Sequence, residues 1–322
     1  MKSISYDIDP GGDIELVLRE PNKQNIVPEI ASARGTLQSF DNPPCTGRYR
    51  VFSDIYEDNQ KKSPKVEIHM RVSSRHLILA SHTFRVMLEG PWSEATSSSE
   101  PLWQIVTEGW DAFALAIVLD SIHGRDLEIP TGEKMCTGLL TRIATIVDYY
   151  QCREALHCQY RLWVNEHPDR ERAQPEELSV EFLMWLYISW VFSDDNIFCK
   201  TASNVLLHSD GPSGFDTHDL PVGGVLGRID TLIRNLIDRV LEALDSLQEE
   251  MLEEKGCVEE SDSDCTALML GILMRKRHEL EHWDPPLVAP FCEGYSIANV
   301  LMMVDDIDMP EPPHWQSEED FE

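Results

Sequence analysis

Two stretches of the chain carry residue types that could do chemistry. VSSRHLILASHTFRVMLEG, Val72 to Gly90, sets Ser81 beside His82, and HELEH, His278 to His282, satisfies the H-E-x-x-H spacing. A serine nucleophile needs an imidazole within hydrogen-bond reach and an acid behind it. Adjacent residues at a helix start point apart, and the chain holds no G-x-S-x-G elbow. The spacing predicts a different role: Ser81 precedes Phe84, Met87 and Leu88 at helical intervals, so it reads as an N-cap with His82 in the exposed first turn and Gly90-Pro91 as the stop.

In HELEH, two histidines one helical turn apart could bind zinc while Glu279 served as base. The motif follows MRKR, carries a second charge at Glu281 and runs into Trp283-Asp284-Pro285-Pro286. Pro285 stands where the metzincin continuation has glycine, and for a third ligand Glu293 lies close by on a loop. A zincin core helix is buried, whereas this one reads as a solvated, charged helix end. Cys257, Cys265, His278 and His282 echo a zinc finger, but seven residues separate the cysteines, and a helix starting at Cys265 would put it about 20 Å from His278. Cys152, His157 and Cys158 lack a fourth ligand and read as packing. Trp185, Tyr187, Trp190, Phe192 and Phe198 read as interior. No phosphate loop occurs. The expectation is a chain with no catalytic residue, cofactor or metal, and a zinc hydrolase at His278, Glu279 and His282 is the distant alternative.

The elements that must position these residues follow from periodicity. GDIELVL (Gly12 to Leu18) and VEIHMRV (Val66 to Val72) alternate as strands with one face on a core, and PLWQIVT predicts a third. Residues from about 20 to 64 turn to Pro, Asn, Ser and charge around a weaker strand-like piece, GRYRVFSDIY, and read as a partly mobile insertion. Trp110 to His123 predicts a helix with a Phe113, Ile117, Val118, Ile122 stripe, and a second follows Gly132 through Tyr150. Beyond the polar break HPDRERAQPEE, the rest reads as helical. Its long helix carries Ile229, Ile233, Leu236, Val240, Leu244, Leu247 and Met251 along about 35 Å. Glu249 to Asp264 and the tail from 305 to 322 are acidic and read as solvated.

A 322-residue chain with 42% hydrophobic residues can fill a core. Its 27 Lys and Arg stand against 57 Asp and Glu, and the formal charge of -30 repels phosphate backbones and anionic lipid. No direct nucleic-acid or membrane partner is expected. The N-terminus lacks a signal-peptide pattern, the most apolar run (Phe182 to Phe192) is too short to span a bilayer, and the eight cysteines form no CxxC pair. The expected setting is intracellular, in cytoplasm or nucleus, with reduced thiols.

Together, GDIELVL, VEIHMRVSSRHLILASHTFRVMLEGPW, WDAFALAIVLDSIHGR and IATIVDYYQC resemble the BTB/POZ domain in its fungal form over roughly residues 12 to 165. WLYISWVF, the long helix and CTALMLGILMRK resemble the helical extension that accompanies it. The resemblance implies an α+β fold, a small sheet wrapped by helices and then an all-helical region, with domains at 1–165, 166–304 and an acidic tail at 305–322. It implies a strand running into two packed helices centred on Leu77, Leu79, Phe84 and Met87. The signature positions are Asp13, Leu16, Val72, Leu77, Leu79, Ser81, Phe84, Met87, Trp92, His123, Asp148 and Tyr150. Such domains are non-enzymatic adaptors that homodimerise, recruit a cullin-type ubiquitin ligase, or bind a transcriptional co-regulator. Ser73 replaces the histidine that commonly ends the second strand in animal members, and no N-terminal helix for strand-swapped dimers precedes Gly12.

Overall fold

Alternating apolar and polar residues build one four-stranded sheet. The computed structural model describes residues 2–26, 45–57, 65–90, 102–166, 180–211, 217–253, 263–291 and 293–307. Within them β1 (Lys2–Asp7), β2 (Ile14–Arg19), β3 (Val66–Val72) and β4 (Trp103–Glu108) lie in the order β1-β3-β2-β4. β2 and β3 are antiparallel, with Ile14 opposite Val72 and Leu18 opposite Ile68. β1 runs parallel to β3, and β4 parallel to β2. Ile14, Leu16 and Leu18 share burial with Ile68, Met70 and Val72, and Val17 is buried as well, as befits a central strand. Gly12 leads into β2 against the Val72 carbonyl, where any Cβ would collide.

β1 was not expected before Gly12. Its signal is short: Ile4, Tyr6 and Ile8 are buried and alternate with exposed Ser3, Ser5 and Asp7. The piece expected to be strand-like, GRYRVFSDIY, is instead a 3-10 turn (Gly47–Phe52) followed by α1 (Ser53–Glu57). Tyr49, Phe52 and Tyr56 fall at i, i+3 and i+7, a helical spacing, and all three are buried. This part of the insertion therefore belongs to the core.

β3 leads into α2 (Ser74–Ala80) and α3 (His82–Glu89), which pack together. α4 (Ala112–Ile122) is buried at every position except Ser121, so the expected stripe is in fact an all-round apolar surface with sheet and helices about it. α5 (Thr137–Tyr150), α6 (Arg153–Glu166) and α7 (Val180–Phe192) enclose it, α4 packing on α5 and α6, and α7 on both of these. Trp185, Tyr187 and Phe192 are buried as expected, whereas Trp190 is exposed. The first compact unit therefore runs past residue 165: its described residues include α7, the start of α8 (Asp195–His208) up to Thr201, and 217–222.

The second unit holds the rest of α8, α9 (Gly223–Leu252), α10 (Ser263–Glu281) and α11 (Ile297–Asp305). α9 packs on α10 and α11. Its buried stripe is Leu226, Ile229, Ile233, Ile237, Leu241 and Leu244: Ile229, Ile233 and Leu244 are buried as expected, whereas Ile237 and Leu241 stand in for Leu236 and Val240 and Leu247 is exposed. Apolar residues occupy two neighbouring faces of this helix, and the one that carries Leu241 and Leu244 meets Leu280 of α10 and Leu287. Glu249 to Leu252, assigned to the solvated acidic stretch, continue α9. Among the described residues, eleven α-helices and one sheet make the chain α+β.

Candidate functional site

The stretch that opened the question of catalysis is committed to packing. Ser81 is buried, accepts the Phe84 amide at 3.0 Å and donates its hydroxyl hydrogen to the Tyr150 carbonyl. It is thus the N-cap of α3, and His82 is exposed beside it. The Phe84 ring stacks on Tyr150 with centroids 4.3 Å apart and planes 10° apart, and the Tyr150 hydroxyl lies 3.1 Å from Thr107 Oγ1 on β4. Ser81, Phe84 and Tyr150 therefore tie α3 to the end of α5 and to the sheet. No proton on Ser81 is left for an imidazole to remove.

Of the signature positions, Leu16, Val72, Leu77, Ser81, Phe84 and Tyr150 are buried, and Met87 and His123 are half-buried. Leu79 is not in the centre: it is 81% exposed. On a seven-residue helix that buries Leu77, a residue two places on is turned about 200° away. Asp148 is also exposed, one residue before the α5 positions that turn outward and back to Tyr150. Trp92 lies outside the described residues. Asp13 is exposed but occupied, accepting the Ser74 amide at 2.8 Å and the Ser74 hydroxyl at 2.7 Å at the start of α2.

His123 performs a second structural task. Its Nδ1 lies 2.7 Å from the Leu119 carbonyl and its Nε2 3.0 Å from the Ser73 amide. A carbonyl only accepts and an amide only donates, so one neutral tautomer fits, with the proton on Nδ1. The ring thereby joins the end of α4 to the start of α2. Burial pushes its pKa below the usual histidine range, and neighbouring His76 and Arg125 add to this against the opposing Leu119 bond. Because the folded pKa is depressed, the contribution is complete above the unfolded value of about 6.5 and is lost as pH falls below it. Protonation would aim Nε2–H at an amide N–H. We expect the first unit to lose about 1 kcal/mol on acidification through this window. Urea unfolding at pH 7 and pH 5 measures it, and His123→Ala should flatten the difference.

The sequence reading missed a buried polar cluster around Asp120 of α4. Asp120 is fully buried, and its Oδ2 accepts from Tyr6 of β1 at 2.5 Å and from Tyr49 at 2.9 Å. Its Oδ1 takes no well-aligned hydrogen bond and faces Arg48 Nη1 at 3.2 Å. The Arg48 guanidinium also lies 4.8 Å over the Tyr6 ring and donates to the Asp7 carbonyl at 3.0 Å. Burial raises the Asp120 carboxyl above the ordinary range although both hydroxyls and Arg48 oppose it, and burial beside Asp120 raises both tyrosines. A cleft of about 480 Å³ opens nearby, lined by Gly47, Tyr49, Phe113, Leu127 and Pro130 among others. The Tyr49 hydroxyl is turned to Asp120, so the cluster reads as a polar staple holding β1, the 3-10 turn and α4 together. The signal available was a lone aspartate in the apolar run AFALAIVLDSI.

In the second unit the structure alters the H-E-x-x-H reading. His278, Glu281 and His282 are exposed, and their ligand atoms lie within 4.8 Å of one another. Glu279 is not in this group; its Oε2 lies 3.8 Å from Lys276 Nζ at half exposure. Residues three and four places from His278 share its face of the helix, whereas the next residue is turned about 100° away. Glu279 instead faces Lys276, and Glu281 is the carboxylate that joins the histidine pair. Cys257 lies outside the described residues. Cys152 is buried, which pushes its thiol up to about 12, while His157 and Cys158 are exposed. Among the described residues no helix is long and apolar enough to cross a membrane.

This is an α+β chain whose first unit spends its conspicuous polar groups on joining elements. Compared with models of known protein families and with curated proteins, the chain matches none.

Proposed function

We propose that the chain is a non-enzymatic protein–protein interaction adaptor built on a BTB/POZ-like first unit, and that it recruits a cullin-type ubiquitin ligase. The observation that carries this reading is the α2–α3 pair. β3 runs into two short packed helices, as the resemblance implies, anchored through Leu77 and Phe84. Outward, the same pair presents Leu79 at 81% exposure and Val86 at 40%. Large apolar side chains on short helices gain nothing from solvent and supply anchors for a partner. The Ser81, His123 and Asp13 groups beside them are taken up by backbone and cap bonds, which supports binding over bond-making.

The test is direct binding of the purified full chain to a purified cullin N-terminal region by calorimetry. Binding is expected, and Leu79→Asp should weaken it about thirtyfold, near 2 kcal/mol, without moving the unfolding midpoint. Absence of binding, or binding indifferent to Leu79→Asp, would overturn the ligase reading. Capture of a co-regulator in place of any cullin or neddylation component would shift the same surface to a nuclear role.

A further inference from the structure

We propose that His278, Glu281 and His282 form a surface site for a divalent transition-metal cation of the zinc class at the C-terminal end of α10. Positions i, i+3 and i+4 lie one above another on a helix, and here they supply two imidazoles and a carboxylate, a donor set suited to zinc, nickel or copper.

The side chains are already close to a chelating arrangement. Their ligand atoms lie within 4.8 Å of one another, and the two imidazole centroids are 4.1 Å apart. Donors about 2.0–2.1 Å from a tetrahedral ion lie roughly 3.3 Å from each other. Exposed side chains at a helix end can cover the remaining distance by small torsional changes.

A separate observation prepares the ligand. His282 Nδ1 lies 2.8 Å from the His278 carbonyl, which can only accept. Nδ1 therefore carries the proton and Nε2 presents its lone pair. Metal-bound histidines are commonly oriented in just this way, the second ring nitrogen donating to a carbonyl. The C-terminal pole of the helix dipole also favours a cation, and the chain's formal charge of -30 raises cation concentration around it.

The site differs from the hydrolytic one that the H-E-x-x-H spacing suggested. Glu281, and not the Glu293 of that reading, is the carboxylate ligand, Glu279 takes no part, and the site is open on the surface. A bound ion would clip the last turn of α10 to the segment that begins at His282 and keep coordination positions free for water or another protein's donor.

Titration of the tag-free, reduced full chain with cobalt(II) and zinc tests the assignment. One equivalent should bind, with a cobalt spectrum of nitrogen and oxygen ligation and no sulfur-to-cobalt charge-transfer band. His278→Ala, His282→Ala and Glu281→Gln should each weaken binding by at least about tenfold, the lower end of what loss of an outer-shell partner costs. Glu279→Gln should leave affinity unchanged. No binding, binding that survives the double variant His278→Ala/His282→Ala, or equal losses for Glu279→Gln and Glu281→Gln would each overturn the proposal. Circular dichroism of these surface variants should match the parent, so loss of metal is separable from loss of fold.

Discussion

Asp120→Ala should destabilise the first unit by about 3–5 kcal/mol, the cost of breaking a buried charged pair by removing one partner. Two buried hydroxyls, Tyr6 and Tyr49, lose their acceptor, and Arg48 keeps a charge in a place where little water reaches it. Each stranded hydroxyl alone costs about 1–3 kcal/mol. The opposite experiment separates this cost from the worth of the cluster. Asp120→Leu combined with Tyr6→Phe, Tyr49→Phe and Arg48→Met should recover much of the loss, because the hydroxyls and the charge that Asp120 satisfied would be gone with it. Hydrogen exchange of α4 peptides across a urea series reads the first unit specifically, and a loss below about 1 kcal/mol for Asp120→Ala would show that water satisfies the hydroxyls.

Phe84→Ala should cost about 3–5 kcal/mol for a different reason, cavity formation. The side chain is fully buried and stacked on Tyr150, a contact that adds about 0.5–1.5 kcal/mol beyond burial. α3 and α5 would lose their shared anchor, and the Ser81 cap would lose the neighbour that holds Tyr150 in place. Urea unfolding measures the effect, with Phe84→Leu expected to lose far less because it refills most of the space. Leu79→Asp, five residues earlier, should leave stability unchanged. A Phe84→Ala loss no greater than that of Leu79→Asp would refute the buried stack as the anchor of this helical pair.

Leu79 also shows where the sequence was hard to read. Leu77 to Ala80 is a continuous apolar run, and on a helix four consecutive residues cover every direction. Only the packing of α2 decides that Leu77 turns inward and Leu79 outward. β2 and β3 were legible because alternation has one solution at a half-buried strand. β1 was not, because six residues with two serines give that pattern too few repeats. The 3-10 turn and α1 were mistaken for a strand because Tyr49, Val51 and Tyr56 favour strands, while the i, i+3, i+7 burial of Tyr49, Phe52 and Tyr56 shows itself only when their partners are known. For the same reason Arg48, Tyr49 and Asp120 were legible separately and their convergence was not. The histidine pair was visible by its spacing, but that Glu281 joins it shows only once the three side chains are placed.

The strand order has a consequence for how the chain acquires its shape. Every lateral neighbour in the sheet is remote along the polypeptide: Lys2 aligns with Val66, Ile14 with Trp103, and even the antiparallel pair joins Ile14 to Val72. Loop closure must precede each of these pairings, which places the first unit among slowly folding topologies. During synthesis the ribosome must release β4 before β2 has both neighbours, so the nascent chain carries the apolar Ile14, Leu16 and Leu18 unprotected meanwhile, a window in which chaperone engagement would govern yield.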